Sequence, residues 1–452
     1  MEGTDQRKSL PDHTEILSVV ERRADAVVEL VRELVRFRSV NPVFPDSVPS
    51  QEGQLQEFLA ERLLGLGFEV DLFEPDPVAL ARYRGRPGFQ EGRRFEGRPN
   101  LAARLRGAGN GWSVMLACHI DVVGVDASEQ WTVDPFQGAL RGGRIFGRGA
   151  ADMKGGAACM LGAVEALLEM GLRPGGDVVW ASVVDEETGG MGTLALLDRG
   201  YRADAAFMPE PTAAKLVPMC RGILWGEIVV RGRSSHIEIP QPAWESGGAV
   251  DAIAKARLVL DSLDRLNEEW VTRPEKTHPL LGVPNQVFVS MVRAGQHPSS
   301  WAEEARITFD AQYTANECDE HGLGGRVKAE IERHVAAAAA EDPWLAAHPP
   351  EVRWTVDADP GEIDADHPLI AGLREACRHA GLGGELAGVG FHTDSSLLIG
   401  AGVPTIVFGP GNPDDAHQAD ESVAVADLLA VTKAIALTLV ELGGWKAAGR
   451  ER

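Results

Sequence analysis

Cysteine is scarce in this chain. There are five in 452 residues, at positions 118, 159, 220, 318 and 377, and no two form a C-x-x-C pair. An odd, scattered set excludes a disulfide framework and fits a reducing compartment, with the thiols buried. Positive charge is also short: 44 Lys and Arg stand against 67 Asp and Glu, a formal net charge of −23. A surface this acidic repels nucleic acid and anionic membranes, so neither is expected as a partner. Long apolar runs are missing. No stretch reaches the ~18 apolar residues of a membrane span, and residues 1–13 are polar, without the apolar core of an export signal. A cytoplasmic location is therefore expected. The ten tryptophans are scattered, so no stacking surface for bases or sugars is legible.

What is present is ordinary globular sequence, 44% hydrophobic and 25% charged, and too long for one core. Two domains are expected. Apolar residues at helical spacing predict a helix over 15–37 and a second over 54–66. Strand-like runs follow at 68–73, 100–105, 113–118 and 177–184, with a helix at 155–170 between the last two and a short strand ending at 207–209. Strands alternating with helices of this length predict an α/β fold, a mixed and mostly parallel sheet flanked by helices. Past Cys220 the order becomes strand (223–231), helix (248–266), strands (286–293 and 305–313), helix (325–340) and strand (352–356). That β-α-β-β-α-β order is a ferredoxin-like domain of its own. Helix–strand alternation then resumes to residue 442. The simplest account is a discontinuous catalytic domain, 1–219 and 361–452, with a second domain inserted at 220–360.

Five places carry metal-type ligands, each at a strand end or on a loop: Cys118-His119-Ile120-Asp121, Gly149-Ala-Ala-Asp152-Met-Lys-Gly-Gly156, Asp185-Glu186-Glu187, Pro209-Glu210-Pro211-Thr212, and Gly409-Pro-Gly411 followed by Ala416-His417. In an α/β sheet such ends face a common crevice. Several carboxylates in one crevice repel one another unless cations neutralise them, which points to two divalent ions. Two imidazoles among carboxylates suit zinc first, with cobalt or manganese as alternatives, over calcium or magnesium. Singly, each motif is weak, since a lone loop histidine or an acidic pair is ordinary surface. All five in this order form a specific constellation.

On these motifs the chain resembles the metallohydrolase family of acetylornithine deacetylase, succinyl-diaminopimelate desuccinylase, aminoacylase and carboxypeptidase G, over about residues 20–445. The resemblance implies that His119 and Glu210 hold one metal, that Glu187 and His417 hold the other, and that Asp152 bridges them. It implies that Asp121 orients His119, a partner that metal-bound imidazoles generally need. Glu186 is implied as general base, taking a proton from water activated between the cations and delivering it to the leaving nitrogen. His236, in Gly232-Arg-Ser-Ser-His236, is implied to steady the oxyanion in the active site of a second subunit, which makes the inserted domain a lid and the seat of a homodimer. The implied substrate is a small N-acyl compound whose amide bond is cut.

One feature departs from the family. Many members carry an Asn and, thirteen residues on, an Arg that grip the substrate carboxylate. Those places fall here at Ser299 and Gln312, both uncharged. Arg293 and Arg306 are nearby but off register. A neutral N-formyl or N-acetyl amine, such as the formylaminopyrimidine of thiamin salvage, is therefore an alternative to an acylated amino acid, and a dipeptide is disfavoured. His392 and Thr393, in Gly390-Phe-His-Thr-Asp394, are expected to line the substrate pocket. A non-catalytic metal-binding scaffold is the reading of a different class, and the presence of Glu186 counts against it.

Overall fold

A computed structural model describes residues 12–44, 48–125 and 130–447. The polar amino-terminal stretch before residue 12 lies outside the described residues. Within them are two compact units. Unit 1 has the bounds Met1–Met219, Glu362–Gly388 and Thr393–Arg452; unit 2 has Cys220–Gly361 and Val389–His392. The short segment Val389–His392 groups with unit 2 although the sequence around it carries no boundary signal. Its ties are specific: Gln312 Nε2 donates to the Gly390 carbonyl at 3.1 Å, and the His392 ring sits 3.0 Å from the Asp359 carbonyl.

Unit 1 is built on a mixed sheet. Its centre is parallel: Val178–Val183 pairs with Val114–His119, which pairs with Ala205–Met208, which pairs with Thr405–Val407. Antiparallel strands flank this centre, Glu69–Phe73 and Asn100–Leu105 on one side and Leu216–Cys220 on the other. The two central strands, VMLACH and VVWASV, are buried at every position. This is why they read as unbroken apolar runs rather than alternating ones: helices cover both faces of a parallel sheet. Glu52–Gly65, Gly155–Glu169 and Met191–Asp198 lie against its strands, and Val425–Gly443 packs on the second of these. Burying each Val or Leu of these strands is worth about 1.5–3 kcal/mol, so the strand ends rest on a stiff base.

The predicted first helix is two helices, His13–Arg22 and Ala24–Arg36. The break falls at Arg23, whose guanidinium turns to Glu165 and Glu169 on the helix Gly155–Glu169.

Unit 2 is a four-stranded antiparallel sheet in the order Val287–Ala294, Glu304–Tyr313, Gly222–Arg231, Glu351–Ala358. Helices Ala252–Val271 and Gly325–Ala340 lie in the connections, giving the order β-α-β-β-α-β. Along Glu304–Tyr313 every second residue is buried (Ala305, Ile307, Phe309, Ala311, Tyr313), the period-two mark of a sheet with one covered face. Those side chains share a core with Leu263, Leu266, Ile331 and Val335 of the helices. Cys118, Cys159, Cys220 and Cys377 are buried thiols, whereas Cys318 is only half-buried. No helix among the described residues is long and apolar enough to cross a membrane.

Candidate metal centre

The first motif ends the buried strand Val114–His119, so His119 is carried to the strand's carboxyl end at 2% exposure. Its Nδ1 donates to the backbone carbonyl of Asp121 at 2.9 Å, leaving the Nε2 lone pair of the neutral ring free to bind a cation. Nε2 points to Asp152 Oδ1 at 3.0 Å. Asp152 lies in the irregular turn Ala150–Lys154 that opens the helix Gly155–Glu169. Its second oxygen, Oδ2, is 3.3 Å from His417 Nε2, and that same nitrogen is 3.1 Å from Glu187 Oε2. Asp152 thus presents one oxygen to each histidine. Glu210, after the strand Ala205–Met208, brings Oε2 to 3.6 Å from His119 Nε2. Glu186 Oε2 stands 4.0 Å from the same nitrogen.

The electrostatics show a site short of positive charge. Burial would lower both imidazoles, but acids override it. Glu210 and Asp152 hold His119 well above its usual range, and Asp152 with Glu187 lift His417 to about 11. Burial, then the charge of Asp152, raises Glu210 to about 8 and Glu187 above its usual range. Burial also pushes Glu186 well up, with His119 opposing and Glu210 adding. Glu187 Oε1 and Glu210 Oε1 are buried and have no hydrogen-bond partner among the described residues. Ligand atoms of His119, Asp152 and Glu187 all lie within 4.8 Å of one another. Unpartnered buried carboxylate oxygens beside two imidazoles are the donor set that divalent cations satisfy, so the residues fit such ions.

The sequence pattern of peptidase family M20/M25/M40 matches residues 115–441, the span that holds His119, Asp152, Glu187, Glu210 and His417. The chain belongs to that family. It is 29% identical over 448 residues to the N-formyl-4-amino-5-aminomethyl-2-methylpyrimidine deformylase of Halalkalibacterium halodurans, covering 94% of this chain and 96% of that relative. It is 32% identical over 425 residues to the succinyl-diaminopimelate desuccinylase of Methylobacterium radiotolerans, covering 90% and 94%. In fold it is similar to the dipeptidase Dug1p of Saccharomyces cerevisiae, with a TM-score of 0.73 at 14% identity over 96% of this chain and 99% of that one. Human carnosine dipeptidase 1 gives 0.70 at 15% identity over 96% and 100%.

In this M20 chain the other residues singled out in the sequence fall in several places. The carboxylate of Asp121 is 3.8 Å from His119 Nδ1 and is engaged elsewhere: it accepts the amides of Glu186 and Glu187, each at 3.3 Å, and the side chain of Asn41 at 2.8 Å. His236 is exposed in unit 2, where its Nδ1 accepts the Glu238 amide at 3.3 Å. Ser299 bonds the His297 ring at 2.8 Å. Gln312 accepts from Arg221 Nη1 at 2.6 Å, so both ends of its amide are engaged inside unit 2. Arg306 is paired with Glu227 and Glu304, each at 2.7 Å. Burial lowers His392 to about 4, so it stays neutral near pH 7. Thr393, in unit 1, is buried with its hydroxyl 2.6 Å from that of Ser395.

Sequence reasoning missed the pair Arg148–Glu421. Arg148 Nη1 donates to Glu421 Oε2 at 2.9 Å, and Glu421 Oε1 accepts the amides of Ala151 (3.0 Å) and Asp152 (3.2 Å). Glu421 stands four residues beyond His417, and that closeness was the available signal.

Proposed function

We propose that the protein is a metal-dependent amidohydrolase that cuts the amide bond of a small N-acyl substrate. The observation that carries the reading is Asp152 standing between His119 and His417 beside the unpartnered oxygens of Glu187 and Glu210. On this reading His119 and Glu210 would hold one divalent ion and Glu187 and His417 the other, with Asp152 shared between the two pairs, and zinc the first choice with cobalt or manganese as alternatives. Bound there, such ions lower the proton affinity of water and polarise a carbonyl oxygen.

Glu186 is the base. Burial holds its carboxyl well above the usual carboxylate range, and its Oε2 stands 4.0 Å from His119 Nε2. It accepts the proton of the attacking water and returns it to the departing nitrogen. Its backbone is held by Asp121, so it stays beside the ligand Glu187.

His236 is assigned to the oxyanion of a second copy's substrate. With Nδ1 accepting from Glu238, the neutral ring keeps its hydrogen on Nε2, an exposed donor. The second copy has a seat: Val287–Ala294 is an edge strand of unit 2, and Phe288, Val289, Met291 and Val292 are 45, 39, 46 and 50% exposed on it. An apolar edge strand is a ready template for pairing with another chain. Mixing inactive His236→Ala and Glu186→Gln proteins then restores part of the activity; failure to do so removes the shared-site reading. Five free cysteines and the acidic surface support a cytoplasmic setting.

A second reading is deformylation of a neutral N-formyl amine. The deformylase relative and the uncharged, fully engaged Gln312 favour it. The deciding experiment is hydrolysis by zinc- or cobalt-loaded protein of N-acetyl, N-succinyl and N-formyl amino acids beside neutral N-formyl and N-acetyl amines, with and without chelator. Cleavage of the acylated amino acids supports the deacylase; cleavage of the neutral amides alone supports the deformylase. Metal retention with no turnover of anything points to the scaffold reading.

A further inference from the structure

We propose that Asn41 is a positioning residue that locks the turn carrying Glu186 and Glu187 to the strand end carrying His119. This rests on the assignment of Glu186 as base and Glu187 as ligand.

Asn41 is far from these residues in sequence and wholly buried. It arrives on a short segment laid parallel to the end of the His119 strand. The Asn41 amide donates to the Val122 carbonyl at 3.0 Å, the Val122 amide to the Ser39 carbonyl at 3.0 Å, and the Ser39 hydroxyl to the Ile120 carbonyl at 2.5 Å. The side-chain amide is fixed in orientation because its Oδ1 accepts from the Val43 amide at 3.1 Å. That leaves Nδ2 facing the site. It donates to Asp121 Oδ2 at 2.8 Å and to Thr188 Oγ1 at 3.1 Å, with Asp185 Oδ1 at 3.4 Å.

Those acceptors belong to two different loops. Asp121 follows His119, and its oxygens take the amides of Glu186 and Glu187 at 3.3 Å each. Thr188 closes the turn Glu186–Thr188 and donates back to Asp185 at 2.9 Å. Asp185 holds a left-handed φ of +73°, a conformation that ordinary side chains adopt only when the surroundings enforce it. The charged groups around this point are Asp121, Asp185, Arg98 (3.6 Å from Asp185) and Arg93 (3.4 Å from Asp185), with Glu52, Lys154 and Asp394 interacting with the same acids. Between two buried carboxylates, Asn41 supplies neutral N–H donors. Without them the acids face each other, and the Asp121 carboxylate keeps only the two longer bonds from the Glu186 and Glu187 amides among those seen in the described residues.

The test compares Asn41→Ala and Asn41→Asp with the parent protein and with Glu186→Gln, all metal-loaded, reading kcat, KM, bound metal, and hydrogen–deuterium exchange of the amides at 186–188. Asn41→Ala is expected to lower kcat about 10- to 100-fold while KM and bound metal stay within about twofold, with faster exchange at 186–188. Asn41→Asp matches the shape of Asn and donates only while protonated. Its kcat relative to the parent is expected to fall about tenfold between about pH 6 and pH 9, as the new acid ionises against Asp121 and Asp185. Should Asn41→Ala not fold, the pH dependence of the Asn41→Asp ratio decides by itself. The proposal is overturned if exchange at 186–188 is unchanged or if that ratio is flat with pH. Should Glu186→Gln keep its turnover, the base assignment falls, and the exchange data still judge Asn41 by themselves.

Discussion

His119 Nδ1 donates to the backbone carbonyl of Asp121 at 2.9 Å, while the Asp121 carboxylate stands 3.8 Å away. The imidazole is therefore oriented by a main-chain atom that no substitution at 121 removes. The carboxylate instead anchors the amides of Glu186 and Glu187.

Asp121→Ala consequently separates two roles. The metal content is expected to stay close to that of the parent, because His119 keeps its partner. Turnover is expected to fall about 10- to 100-fold, because Glu186, the proposed base, loses the anchor of its amide. Elemental analysis alongside kcat decides it. Loss of metal in proportion to activity would contradict this separation of roles.

Arg148 and Glu421 form an ion pair at 2.9 Å with side chains 1% and 0% exposed. Removing one partner leaves an uncompensated buried charge, a change worth about 3–5 kcal/mol. Arg148→Ala is expected to destabilise unit 1 by that amount in denaturant titration and to weaken metal retention, because Glu421 also holds the amides of Ala151 and Asp152. An unchanged unfolding midpoint would contradict this.

Gly409 is packed against the Glu210 loop. A Cβ there would lie 2.3 Å from the carbonyl oxygens of both Pro209 and Glu210. Backbone cannot yield as a flexible side chain can, so Gly409→Ala must push the two loops apart. The expected result is about 1–3 kcal/mol of lost stability and a displaced Glu210. Metal affinity measured with a chelating indicator should fall; retention of parental affinity would mean the loops absorb the methyl group.

Metal binding should expel protons. In the metal-free protein His417 is held at about 11 by Asp152 and Glu187 against the pull of burial, and Glu210 is raised to about 8 by burial and Asp152. At pH 7 both carry protons. A cation needs the same lone pairs, so binding releases protons and affinity climbs as pH rises toward those values. Calorimetric titration of zinc in buffers of differing ionisation enthalpy checks this, and a binding heat independent of buffer would refute it.

Much of this was legible along the chain. The buried strands Val114–His119 and Val178–Val183 and the helix Gly155–Glu169 follow from local apolar runs and periodicity. His119, Glu187 and Glu210 could be read because each ends or closely follows a buried parallel strand, where chain direction carries it to the sheet's carboxyl edge, whereas Asp152 in the turn before a helix and His417 on a loop were legible only from their motifs. The unit 2 order follows likewise from six well-marked elements. Other features needed the folded chain. Arg23, at the break between the first two helices, meets Glu165 and Glu169 across 142 and 146 positions. Arg148 meets Glu421 across 273 positions, and Asn41 meets Asp121 across 80. None of these leaves a periodic mark, since one polar side chain facing inward looks the same in sequence as one facing water. Thus the sequence by itself determined which elements form and which chemical groups stand at their ends. Tertiary structure alone decided which buried donors meet which acids, because hydrogen-bond partners are chosen by proximity in space.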